Sequence, residues 1–95
     1  MMQVCTIEIE GEHAPLAAKE DIASGIAAAS KVFSAHDADP EECAAAYAKM
    51  ERDELLSREE ALLCVIWEEA DEAAVRAVTL GWLVRGELDI RLVVK

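Results

Sequence analysis

The sequence predicts an α+β fold in which three or four α-helices pack on a small sheet formed by the N- and C-terminal strands. Residues 3–10 and 87–94 both alternate apolar and polar side chains with period two, whereas apolar residues between them recur at helical spacing. Two strands at opposite ends of a chain each need a partner, and pairing with one another satisfies both. Ninety-five residues are expected to form a single acidic α+β domain over 1–95.

The first helix is expected over residues 15–35, with Pro15 in its first turn, where a missing N–H costs nothing. Small residues surround Gly25, which indicates that another element approaches the helix closely there, and a break near Gly25 is the alternative. An apolar stripe predicts the buried face of this helix: Ala18, Ile22, Ile26, Ala29 and Phe33.

Two further helix starts are visible. Asp39 precedes Pro40 and two glutamates, which predicts a helix running to about Leu55. Ser57 and Glu60 have the spacing of a capping box and open the next helix. Asp71 either caps a separate helix over 72–84, expected to be the most buried, or the helix runs on. Gly86 is expected to end it.

The core is expected to consist of the large apolar side chains, because the 18 alanines each bury little surface. Leu55, Leu62, Val65 and Leu80 belong to this predicted set. Core packing is also the default for the two tryptophans, Trp67 and Trp82.

Negative charge is concentrated in one stretch. The chain has a net charge of −11, and residues 37–72, with 13 acids and three bases, account for −10 of it. This balance argues against direct binding of nucleic acid or of an anionic membrane surface, because both need lysine and arginine. It favours a basic protein surface, a cation or simple solubility.

Many of the acids come in doublets. One explanation is that they are helix caps and solvated helix faces. The other is that spaced carboxylates imitate phosphates and bind the basic, nucleic-acid-binding surface of a protein partner. The residues expected to bind the partner are Asp53, Glu54, Glu59, Glu60, Glu68, Glu69, Asp71 and Glu72.

Three cysteines at long spacings, Cys5, Cys43 and Cys64, are typical of reduced thiols in a cytoplasmic protein, and one disulfide with one free thiol is the alternative. No signal peptide or membrane span is expected.

Catalytic and metal chemistry have little support in the sequence. His36 lies among Asp37, Asp39, Glu41 and Glu42, but this segment does not match a calcium loop, and no catalytic, metal or cofactor site is assigned. His36 and Cys43 are more typical of ordinary packing and surface residues than of a catalytic pair.

We therefore expect a non-enzymatic binding or inhibitor protein that occupies a basic surface of its partner, of the type encoded by phages or mobile elements, such as inhibitors of CRISPR effectors. The alternative is a helical oligomerisation or adaptor module in which the acids only maintain solubility. Under this alternative, the partner can be a second copy of the same chain. A winged-helix-like regulator is a weaker alternative, because its reading helix would open with Glu68, Glu69, Asp71 and Glu72.

Overall fold

The computed structural model describes residues 5–11, 14, 19–82 and 88–94. Its elements follow the order β1 (Cys5–Gly11), α1 (Lys19–Ala35), α2 (Pro40–Glu51), α3 (Arg58–Trp82) and β2 (Leu88–Val94). Three helices pack on a two-stranded antiparallel sheet formed by the N- and C-terminal strands, which confirms the predicted α+β fold.

The sheet pairs the two ends of the chain in the expected way. Cys5 lies opposite Val94, and Ile7 lies opposite Leu92. Cys5, Ile7 and Leu92 are buried in the core that the sheet forms with the helices. The alternate side chains form the other face, where Arg91 Nη2 donates a hydrogen bond of 2.8 Å to Glu8 Oε2. The period-two pattern therefore gave both strands their correct buried face.

Gly25 lets α1 lie close to both α3 and β1. It is buried, and α1 continues through it without a break, which confirms the close approach and excludes the alternative. A Cβ at this position would overlap Cδ1 of Ile7 and would lie 2.9 Å from Cγ2 of Val78. A side chain of any size would therefore push α1 away from its two neighbours.

The second helix begins as expected and ends earlier. Asp39 caps it, accepting a hydrogen bond of 3.0 Å from the Glu41 N–H. It ends at Glu51, four residues before the predicted end at Leu55, and Asp53 has a left-handed backbone with φ of 56°. Aspartate tolerates this conformation, so the helix ends without the glycine that usually signals a C-terminus.

The third helix is a single element of 25 residues. The capping box is confirmed: the Glu60 N–H donates to Ser57 Oγ at 3.1 Å, and the Ser57 N–H donates to Glu60 Oε1 at 2.9 Å. Asp71 caps no new helix, because α3 continues through it. Its Oδ1 instead accepts the Leu92 N–H of β2 at 2.8 Å. A helix-turn-helix would need a turn between residues 67 and 72, where α3 is continuous.

The predicted core was wrong at four leucine and valine positions. Leu55, Leu62, Val65 and Leu80 are 96%, 59%, 60% and 72% exposed. Leu80 lies in the segment 72–84 that was expected to be the most buried helix, and up to residue 82 this segment is part of α3. The buried face of α3 consists instead of one large side chain, Trp67, and four smaller ones: Cys64, Ala70, Ala74 and Val78. Alanine at the contact face lets the helix axes approach, which leaves the larger side chains on the opposite face.

Trp67 confirms the expectation of core packing. Its ring centroid lies 5.9 Å from that of Phe33 and 6.3 Å from that of Tyr47. The side chain of Trp82 and the predictions for Pro15, Ala18 and Gly86 lie outside the described residues.

Candidate partner-binding surfaces

The eight acids expected to bind a partner fall into three groups in the structure. No described carboxylate is buried, so each has access to solvent. Two of the eight serve the fold, three lie near the start of α3, and three form one flank at the middle of α3. The structure thus brings only part of the predicted set together.

Glu60 and Asp71 are the two that serve the fold. Glu60 Oε2 accepts a hydrogen bond of 2.7 Å from Lys49 Nζ, while its other oxygen completes the capping box. The Lys49 ammonium and the Ser57 N–H hold the pKa of Glu60 down at about 2. Asp71 covers an edge N–H of β2. These contacts tie α2 to α3 and α3 to the sheet.

Asp53, Glu54 and Glu59 lie between the end of α2 and the first turn of α3. All three are exposed, and Glu54 forms an ion pair with Arg52. They are separated from the middle of α3 by more than two helical turns of chain.

The third group belongs to an exposed face of α3. Side chains spaced alternately by three and four residues lie along one side of a helix. On α3 these are Leu62, Val65, Glu69, Glu72 and Arg76, all exposed, and we call this set the outer stripe. Glu68 is exposed beside it. The stripe is apolar toward the start of α3 and acidic in its middle.

Two carboxylates of the outer stripe have partners within the molecule. Glu69 Oε2 lies 2.9 Å from His36 Nε2, and this contact attaches the connector between α1 and α2 to α3. Glu72 pairs with Arg76 one turn later at 3.1 Å. Glu68 has no ion pair within the described part of the chain. Exposed pairs of this kind are worth at most about 1 kcal/mol each, so a basic partner can displace them.

A groove lies on the other side of α3, between α2 and β2. It has a volume of about 340 Å³. Its walls carry both aromatic and acidic groups beside the strand edge. They comprise Ala44, Tyr47, Glu51, Trp67, Asp71 and the strand residues Arg91 to Val94, and we call this cavity the β2 groove.

Carboxylates act on the phenol of Tyr47, which lines the β2 groove. Burial and then the carboxylates of Glu51, Glu68 and Asp71 raise the pKa of Tyr47. The sequence-based reasoning missed this site, although Glu51 follows Tyr47 by one helical turn on α2. That spacing places the phenol and a carboxylate on one face, which was the available signal.

The three thiols are buried and free. Burial raises the pKa of each, and at Cys43 the carboxylates of Asp39 and Glu42 raise it further. This environment is the opposite of the electropositive setting that activates a thiolate. No three metal-ligating side chains come together among residues 5–11, 14, 19–82 and 88–94, which include His36 and its acidic neighbours.

Within the described part of the chain, no helix combines the length and the apolar content needed to cross a membrane. No family model matches the sequence, and neither a curated protein nor a solved structure matches it significantly.

Proposed function

We propose that this protein is a non-enzymatic binding protein that docks on a basic surface of a partner protein through the outer stripe of α3. The observation that carries the proposal is the stripe itself: a long, open helix face on which exposed Leu62 and Val65 are followed by exposed Glu69 and Glu72. Apolar side chains can supply contact area at such an interface, while the carboxylates select a cationic partner.

The net charge of −11 supports a basic partner over a second copy of the chain. Two copies would repel one another at a distance, whereas a cationic surface would be attracted and steered into contact. Successive carboxylates of the stripe, Glu69 and Glu72, are separated by about 4.5 Å along the helix axis. Two carboxylates held at this spacing on a helix suit a surface that normally binds the phosphates of a nucleic acid. An inhibitor of such a protein, including the phage-encoded type, would act by occupying that surface.

Charge reversal with a matched control tests the proposal. The variant Glu69→Lys/Glu72→Lys reverses both carboxylates of the outer stripe, and Glu10→Lys/Asp89→Lys changes the net charge equally on the exposed face of the sheet. Each protein is immobilised and used to capture proteins from host extract at low and at moderate salt. The first variant should lose the captured partner, and the second should retain it, with the circular dichroism of both unchanged.

Two further measurements define the interaction. Capture should weaken steeply as salt rises, because the screening length falls from about 30 Å at 0.01 M to about 8 Å at 0.15 M. Added duplex DNA should release a partner whose nucleic-acid-binding surface is occupied. Equal capture by wild type and Glu69→Lys/Glu72→Lys would contradict the proposal.

The exposed Leu62 and Val65 also favour a second candidate, an oligomerisation or adaptor module. In that case association is apolar, and salt should leave it unchanged or tighten it. The variant Leu62→Ser/Val65→Ser should then abolish association, whereas charge reversal should not. Light scattering over a range of protein concentrations shows whether the partner is a second copy of this chain.

A further inference from the structure

We propose that the β2 groove is a second binding site, which takes a lysine or arginine side chain carried on an extended segment of a partner protein. The groove is formed by α2, the inner side of α3 and β2, and it shares no residue with the outer stripe. The inference therefore stands independently of the function proposed for that stripe.

The carboxylates of the groove lack a cation of their own. Within the described part of the chain, neither Glu51 nor Asp71 forms an ion pair. Arg91 lines the groove, but its Nε and Nη2 both donate to Glu8 Oε2 on the exposed face of the sheet, at 3.2 and 2.8 Å. Asp71 uses only Oδ1 in its hydrogen bond to Leu92. Two carboxylates are therefore available to an incoming positive charge.

Aromatic surface lies beside these carboxylates. Tyr47 is half-buried and packs against Trp67, with ring centroids 6.3 Å apart. Trp67 is buried behind Tyr47, so the ring of Tyr47 is the one on which the alkyl stem of a lysine or arginine can pack, and the charged end is attracted to its face. This ring and the carboxylates together suit a basic side chain better than they suit an apolar one.

The edge of β2 that faces away from β1 favours an extended segment over a free amine. β2 pairs with β1 on one side only. The Leu92 N–H points to Asp71, away from β1. Backbone groups alternate along an antiparallel strand, so those of Ile90 and Val94 also point away from β1. Val94 lines the groove, where its backbone can pair with a peptide that lies along the edge.

The test uses the isotopically labelled protein and two short peptides. One is N-acetylated, C-amidated Thr-Val-Lys-Val-Thr, and the other is the same peptide with an acetylated lysine side chain. The lysine peptide should bind saturably and shift the amide signals of Tyr47, Trp67 and Leu92. The acetylated peptide should bind at least tenfold more weakly, because it has lost the charge that the carboxylates recognise.

Variants identify the groups responsible. Glu51→Gln, and separately Asp71→Asn, which keeps an acceptor for the Leu92 N–H, should each weaken binding about tenfold. Glu10→Gln, an exposed acid on the other face of the sheet, should leave it unchanged. Absence of binding, equal binding of both peptides or equal weakening by Glu10→Gln would overturn the proposal. Free lysine amide binding as tightly as the peptide would overturn the role of the strand edge.

Discussion

Replacing Gly25 by alanine would test whether close approach of α1 sets the stability of this fold. Alanine favours a helix over glycine by about 1 kcal/mol, so on propensity alone the variant would be more stable. Its Cβ, however, would overlap Cδ1 of Ile7 and lie 2.9 Å from Val78 Cγ2 and 3.2 Å from the Ala74 carbonyl oxygen. Overpacking of a core costs roughly 1–3 kcal/mol.

We expect the steric term to dominate, because the obstructing atoms belong to two different elements and one of them is backbone. Subtracting the propensity gain from the overpacking cost leaves a net loss of up to about 2 kcal/mol. For a domain of this size, that loss lowers the melting temperature by up to roughly 15 °C. Thermal unfolding followed by circular dichroism at 222 nm measures the change.

Two further variants make the reasoning refutable. Ser24→Ala, at an exposed position in the same helix, adds helix propensity without contact and should not destabilise the protein. Ile7→Val removes the Cδ1 that alanine would overlap, so the loss in Gly25→Ala/Ile7→Val should be smaller than the sum of the two single losses. A melting temperature for Gly25→Ala equal to or above that of the wild type would refute the packing argument.

Three other predictions concern single groups. Glu60 has its pKa held at about 2, below its ordinary value of 4.5, so its contribution to stability is present above pH 4.5 and is lost as the pH falls toward 2. Urea unfolding should therefore show the difference between wild type and Glu60→Gln shrinking over that range, and a constant difference would contradict the ion pair. Asp71→Ala leaves the Leu92 N–H without its acceptor and should cost about 1–3 kcal/mol, most of which Asp71→Asn should restore in the same unfolding assay. The buried thiols should react slowly with Ellman's reagent at pH 8 in the folded protein and rapidly in guanidinium chloride, and a fast thiol in the folded state would contradict their burial: Cys5, Cys43 and Cys64.

The sequence predicted the strands well, because a period of two survives in a short segment and assigns each side chain to a face. The pairing followed because the sequence predicts only these two strands, so that each is the other's available partner. The end of α2 was less predictable, since Asp53 adopts the left-handed conformation in place of a glycine. Nothing in a single sequence distinguishes such an aspartate from one on a helix surface.

The orientation of α3 could not be predicted, because the sequence offers two faces of this helix that could be buried. Burial of large side chains favours the face with Leu62 and Val65, whereas close helix packing favours the face with Ala70 and Ala74. The face with the alanines is buried, since Gly25 lets α1 approach α3. The β2 groove was less accessible still, because it depends on tertiary contacts between residues far apart in the chain.

The pairing of β1 with β2 also constrains how the protein is made. A ribosome synthesises β1 before the three helices and its hydrogen-bonding partner β2 after them. Contacts among residues 19–82 can form while β1 still has two unpaired edges, a state prone to association with other chains. Sheet closure therefore has to wait until all three helices have been synthesised. In released chains truncated after residue 87, the β1 amides should exchange freely with solvent while α3 is already protected.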